Sequence, residues 1–232
     1  YYFNNDKETM AVREAYRKYI IRLFTLTGTD QASAAAIAGD IIKLETEIAG
    51  SHLTPVELRD PVKNYHKFTV GEFQKQIPNI PFSDVLRRIG ARTDTVLVSQ
   101  PKYYQALYAL LRSRPLQLWK NKLKFELLNG SASSLSKDFR DARFDFAGKT
   151  LNGQKEQKER WKLMVEDTDS GLGELLGQLY VRKHFPKEAK ERMLSLVNNL
   201  QQVYEKRIRN LDWMSDETKS RALAKLNAFT KK

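Results

Sequence analysis

Between residues 34 and 48 the apolar side chains fall at Ala34, Ile37, Ile41, Leu44 and Ile48, alternating steps of three and four. That spacing keeps one stripe of a 3.6-residue helix apolar, and such a stripe must be buried against another element. The preceding stretch supplies one. Met10, Tyr16, Tyr19, Ile20, Leu23 and Phe24 share a side of a helix predicted from about Lys7 to Thr27, with Asn5 or Asp6 as cap and Gly28 as stop. Asp30 caps the second helix, so the two are expected to form an antiparallel hairpin. Only 11 glycines and 7 prolines occur among 232 residues, which favours long regular elements over many short strands. The fold class expected is all-α: a lobe of long packed helices with at most one or two very short strands.

Further along, "GSHLTPVELRDPVKNYHKF" reads as a loop or broken helix punctuated by Pro55 and Pro61. Thr69-Val70-Gly71-Glu72 is a capping box that starts a short helix. "IPNIPFSDVLRRIG" is a proline-bounded turn into a helix ending near Gly90, and "TVLVSQP" holds the one strand candidate, Val96 to Val98. Pro101 and Pro115 each open a helix, the second closed by Gly130. Another helix carries Leu135, Phe139 and Phe146 and stops at Gly148. From Lys155 three long helical segments follow, separated at Pro186 and at "LDWMS". Glycines 171, 173 and 177 suggest a close helix approach or a kink.

The formal charge is +12, from 40 Lys and Arg against 28 Asp and Glu. It invites a nucleic-acid or anionic-membrane reading. Acids and bases are interleaved, however, as in "GQKEQKERWK" and "KEAKERM", which describes a solvated face with weak i,i+4 pairs. The aromatic residues sit at core spacing, whereas a base-stacking platform interleaves them with exposed cations. With no cysteine, disulfides, thiolate zinc sites and a thiol nucleophile are all excluded. No apolar run approaches the roughly 18 residues that span a bilayer. The chain opens "YYFNNDKET", without Met or a signal-peptide pattern, and reads as an excerpt of a longer polypeptide.

A search for reaction chemistry ends without a site. His52, His66 and His184 lack the i,i+4 pairing of a His-Glu-x-x-His metal helix and read as capping or packing residues. No Gly-x-Ser-x-Gly elbow occurs. "GLGELLG" lacks the strand and Gly-Lys-Ser/Thr ending of a phosphate loop, and Leu172, Leu175, Leu176 and Leu179 make it a packed helix. Glu166 and Asp169 form a carboxylate pair near a loop, without a cleft to work in. No catalytic, cofactor-binding or metal-binding residue is assigned to this chain.

Several motifs nevertheless line up from end to end. They are Tyr1-Tyr2; Arg59, Asp60, Pro61, Tyr65, His66, Lys67 and Thr69; "VSQPKYYQAL"; Gly177-x-Leu179-Tyr180-Val181-x-x-x-Phe185 with Lys187 or Lys190 opening the next helix; Leu211-x-Trp213-Met214; and Thr218-Lys219-x-x-Ala222-x-x-Lys225. Together they resemble the neprilysin-like zinc metallopeptidases, the family of neprilysin, the endothelin-converting enzymes and bacterial endopeptidase O.

The resemblance implies a two-lobed, largely helical enzyme around a central cavity. One lobe carries zinc on a His-Glu-x-x-His helix with a further glutamate, and the other covers the cleft and limits substrates to peptides. Residues 1–232 would be that cavity-covering lobe, with 211–232 leading toward a catalytic lobe outside this segment. The implied reaction is zinc-assisted peptide-bond hydrolysis by a metal-bound water with a glutamate as general base. This segment alone is expected to be inactive. Its implied partners are peptide substrates in the interlobe cavity and its own catalytic lobe, with no nucleic acid. The positive charge would attract acidic peptides by steering. The implied location is extracytoplasmic: periplasmic, secreted or membrane-anchored. Met164 stands where many animal members carry a disulfide cysteine, which points to a bacterial-type member. The alternatives are a non-enzymatic basic helical module binding nucleic acid or protein, and a peptidase homologue that has lost its zinc motif.

Overall fold

The computed structural model describes residues 1–78 and 80–231. Asn79, in the proline-bounded turn, and Lys232, which closes the last stretch, lie outside them. The described chain is mainly α-helical and carries one small antiparallel ribbon. It divides into two compact units, Tyr1–Gln157 and Lys158–Lys232.

The first unit is built on the expected hairpin, α1 (Lys7–Leu26) and α2 (Gln31–Ala49). Asp6 and Asp30 cap them by accepting the backbone N–H of Thr9 and Ser33, and Gly28 takes the left-handed conformation that turns the chain. Tyr19, Ile20, Leu23 and Phe24 of α1 are buried against Ala34, Ala38 and Ile41 of α2. Met10, expected on the same stripe, lies a turn beyond this seam and is exposed.

One charged residue sits inside the seam. Glu45 lies four residues after Ile41 and is only 8% exposed. Burying a carboxylate costs several kcal/mol unless its oxygens are satisfied. Here Oε2 accepts from the Tyr2 hydroxyl at 3.0 Å, and Oε1 from the Tyr16 hydroxyl at 3.0 Å and Lys122 Nζ at 2.6 Å. Lys122 also pairs with Glu126. The N-terminal segment, α1, α2 and α6 (Leu116–Ser131) thus converge on one side chain. Arg13 reinforces the first of these links by donating to the Tyr2 carbonyl at 2.7 Å.

α7 (Lys137–Arg143) runs straight into a wider π-helical segment, Phe144–Leu151. Its Phe146 stacks on Tyr19 with ring centroids 5.2 Å apart and leans on Tyr16, while Phe125 of α6 meets both tyrosines edge-on. Gly148 does not end this helix, as its type suggested. It is buried within it, and a Cβ there would collide with the ring of Phe144. The stop is Gly153, at φ +64°, after which Gln154 N–H returns to the Gly148 carbonyl. Gly130 likewise falls inside α6, which continues to Ser131.

A second small core forms around a ribbon of β1 (Lys67–Thr69) and β2 (Thr95–Leu97), paired Lys67 to Leu97, Phe68 to Val96 and Thr69 to Thr95. Only β2, one residue earlier than expected, is legible in the sequence; β1 falls in the stretch read as loop. Three residues with one apolar side chain show no alternation, so the distant partner decides the conformation. The Thr69–Glu72 capping box opens α3 (Val70–Gln76) as predicted, with both reciprocal bonds formed. Phe73, Ile77 and Val98 are buried there, with Phe82 of α4 (Phe82–Arg88) and Tyr104 of α5 (Pro101–Ser113) meeting Phe73 edge-on. Arg114, just past α5, ties this region to α2 through a two-pronged pair with Glu47 at 2.9 and 2.8 Å.

The second unit holds α8 (Arg160–His184), α9 (Lys187–Arg209) and α10 (Asp216–Asn227), broken at Pro186 and "LDWMS" as expected. Ser215 caps α10, whose first turn carries Asp216 and Glu217. α10 returns to α9, where Gln201 donates to the Leu226 carbonyl at 3.2 Å and Lys231 to Asn198 Oδ1 at 2.6 Å. Among the described residues no second helix closes on the glycines of α8. The helix runs through all three, and among the described residues nothing lies within 4 Å of a Cβ placed at Gly171 or Gly177.

Two outcomes test this account. Lys122→Met leaves the Glu45 carboxylate buried without its cation and should lower unfolding stability by about 3 kcal/mol in a urea titration. Gly148→Ala forces Phe144 aside and should cost about 2 kcal/mol in the same assay. The cluster also sets an alkaline limit. Burial, then the Glu45 charge, raises the Tyr2 and Tyr16 phenols above their ordinary 10.0. Burial alone would lower Lys122, but its bonds to Glu126 and Glu45 outweigh that and raise it above 10.5. The folded state therefore keeps these protons longer than the unfolded chain. Their contribution is complete below about pH 10 and drains away as pH rises past it, and Tyr16→Phe should flatten that decline in Tm.

Candidate functional site

The residues singled out for chemistry stand apart from one another. His52 lays its ring against Tyr103 at 4.6 Å, in the loop after α2. The main chain of His66 extends the ribbon, its carbonyl accepting from Val98 N–H at 3.0 Å. Its Nδ1 is buried without a hydrogen-bond partner among the described residues. His184 lies in the last turn of α8 with its ring 4.7 Å from Tyr180. Glu166 and Asp169 line a hollow of about 400 Å³ on α8, and Glu166 is bonded to Lys158 at 2.5 Å. Among the described residues no group of three or more His, Asp or Glu is arranged to hold a metal ion. No described helix is long and apolar enough to cross a membrane.

What the structure does present is an uncovered apolar face. None of the described residues of α8, α9 or α10 is buried, although each helix carries large apolar side chains. On α8, Leu175 is 63% and Leu179 61% exposed; on α9, Leu200 is 52% exposed. An apolar periodicity announces that a helix needs a partner, but not that the partner lies in the same unit. Leu172, Leu175, Leu176 and Leu179, read from the sequence as a packed stripe, are therefore open here.

The end of α8, one side of α9 and the tail of α10 enclose a groove of about 690 Å³. Its floor is Val181, Phe185, Met193, Val197, Leu200 and Leu226, and Lys190 and Lys231 stand among the lining residues. Single exposed leucines are ordinary on a protein surface; a contiguous apolar face over three helices marks an interaction surface. In the sequence, Val181 and Phe185 stand out only within a family motif, and Met193, Val197 and Leu200 do not stand out at all. A 3.6-residue apolar period by itself does not separate a core stripe from an open one.

The comparisons agree with the motifs. The model of the N-terminal region of peptidase family M13 matches residues 1–232. Endothelin-converting enzyme-like 1 of Mus musculus is 29% identical over 231 residues, covering 97% of this chain and 29% of that protein. The zinc metalloprotease Zmp1 of Mycobacterium tuberculosis, solved in complex with an inhibitor, is 33% identical with a TM-score of 0.81. That match covers 98% of this chain and 34% of the Zmp1 chain. PepO of Lactobacillus rhamnosis, 20% identical, shares the fold with a TM-score of 0.82 over 97% of this chain and 36% of its own. The chain thus spans about a third of the length of the relatives it matches. From the tyrosine pair at its start to the "WMSDET" helix near its end, it belongs to peptidase family M13, whose N-terminal region it matches.

Proposed function

We propose that this chain is the helical lobe of a two-lobed zinc metalloendopeptidase, covering the active-site cavity and restricting substrates to peptides. The observation that carries this reading is the uncovered face of α8 to α10 in a chain that spans a third of its relatives' length. So much apolar surface calls for a large partner. The partner we assign is the protein's own catalytic lobe, with residues 211–232 leading toward it.

The residues present do not fit a zinc ion. The three histidines occupy separate elements, and no group of carboxylates and imidazoles among the described residues converges. On this reading the zinc ligands belong to the catalytic lobe, and no chemical step falls to a side chain of residues 1–232. The lobe's part is physical: it limits access and keeps bulk water from the cleft. The substrates are peptides admitted to the interlobe cavity, and the location is extracytoplasmic, as the family resemblance implies.

Two measurements test this. The full-length protein should cleave a decapeptide with a kcat/KM more than about tenfold above that for an unfolded protein of over a hundred residues. Equal rates would sink the size-restricting role. Leu175→Glu and Leu200→Glu should change the stability of the isolated chain by less than about 0.5 kcal/mol, as surface substitutions do. In the full-length protein they should cost about 2 kcal/mol or more, because there the new charge would be buried against the catalytic lobe. Equal effects in both would show that this face stays in water.

A further inference from the structure

Residues 153–159, "GQKEQKE", join the two compact units, and all of them are exposed. The segment follows the left-handed turn at Gly153 and has no regular structure up to the start of α8 at Arg160. Its backbone is unusually free. Gly153 and Gln154 return their N–H groups to the preceding helix, and the next main-chain bond is from Lys162 N–H to the Glu159 carbonyl. Between them, residues 155–158 make no backbone hydrogen bond among the described residues. Among the described residues the Lys155 side chain makes no hydrogen bond or ion pair, and Lys158 pairs with Glu166 at the surface.

An endoprotease must draw several residues in extended form into its own cleft. A helical or turn-bonded site must first open locally, and an unbonded, exposed segment need not. The other irregular stretches meet this requirement poorly. Lys63 donates its N–H to Asp60 within a turn at 3.0 Å. Arg92 is followed by Thr93, which bonds back to Thr95, and by Asp94, whose carbonyl accepts from Val70 N–H. The stretches 132–136 and 210–215 contain no lysine or arginine.

We infer that residues 153–159 form a processing site for an endoprotease selective for lysine, with cleavage after Lys155 or Lys158. The cut would fall at the boundary between the units and spare the aromatic core, whose outermost member in sequence is Phe146.

Limited trypsin digestion of the full-length protein, with the cut positions read by mass spectrometry, tests this. Within residues 1–231 the first cleavage is expected after Lys155 or Lys158. The triple variant Lys155→Gln, Lys158→Gln, Arg160→Gln should lose that cut and slow the first cleavage within residues 1–231 at least about tenfold, because the other irregular lysine and arginine sites compared above are held by hydrogen bonds. Its Tm should match the parent's, since the changed residues touch no core. A first cut elsewhere within residues 1–231, or a triple variant cut there at the parent's rate, would overturn the inference. Neither readout uses peptidase activity, so the outcome does not depend on the function proposed above.

Discussion

A carboxylate placed where an apolar residue belongs governs the first unit. Glu45 occupies a position on the α2 stripe that packs against α1, and it is tolerable there only because three donors from three other parts of the chain reach it. Leucine at this position would bury area with any neighbour. Glutamate accepts only the arrangement that delivers Tyr2, Tyr16 and Lys122 together, so it trades some stability for a defined register. The hairpin, the N-terminal segment and α6 are held in one relation by it. Phe125, one helical position beyond the Lys122 turn, is thereby set against Tyr16 and Tyr19, and Phe146 completes the aromatic stack.

Much of this architecture is visible in the residues. Asp6, Asp30, Thr69 and Ser215 announce helix starts because each side chain satisfies orphan N–H groups of its own helix, a local matter. The breaks at Pro186 and "LDWMS" are equally local. The features that escaped reading depend on distant partners. β1 exists because Val96 lies opposite Phe68. Gly148 is glycine because a ring four residues earlier folds over it inside a π-helical turn. Glu45 could have been suspected from its place on the apolar stripe, but its donors lie 43, 29 and 77 residues away.

The candidate site divides in the same way. Sequence motifs carried the family, because they run the length of the chain and the M13 N-terminal model covers it too. Leu172, Leu175, Leu176 and Leu179 of α8 were also legible as a stripe. Their exposure was not, since a period of 3.6 reports a need for burial and leaves the covering element unnamed. For that reason the long helices of the second unit look complete in a sequence and unfinished in a structure.

That incompleteness has a consequence for synthesis on the ribosome. The aromatic core closes once the chain has passed Phe146, so the first unit can consolidate while later residues are still being made. α8 then emerges with its leucines in water and, among the described residues, no core of its own to enter. While α8 stays uncovered, the nascent chain carries a long apolar helix after a finished domain. This is the interval in which chaperone capture, or failing that aggregation, competes with assembly. The interleaved charges of α9, such as Lys187 with Glu191 and Arg209 with Glu205, help keep the waiting segment soluble.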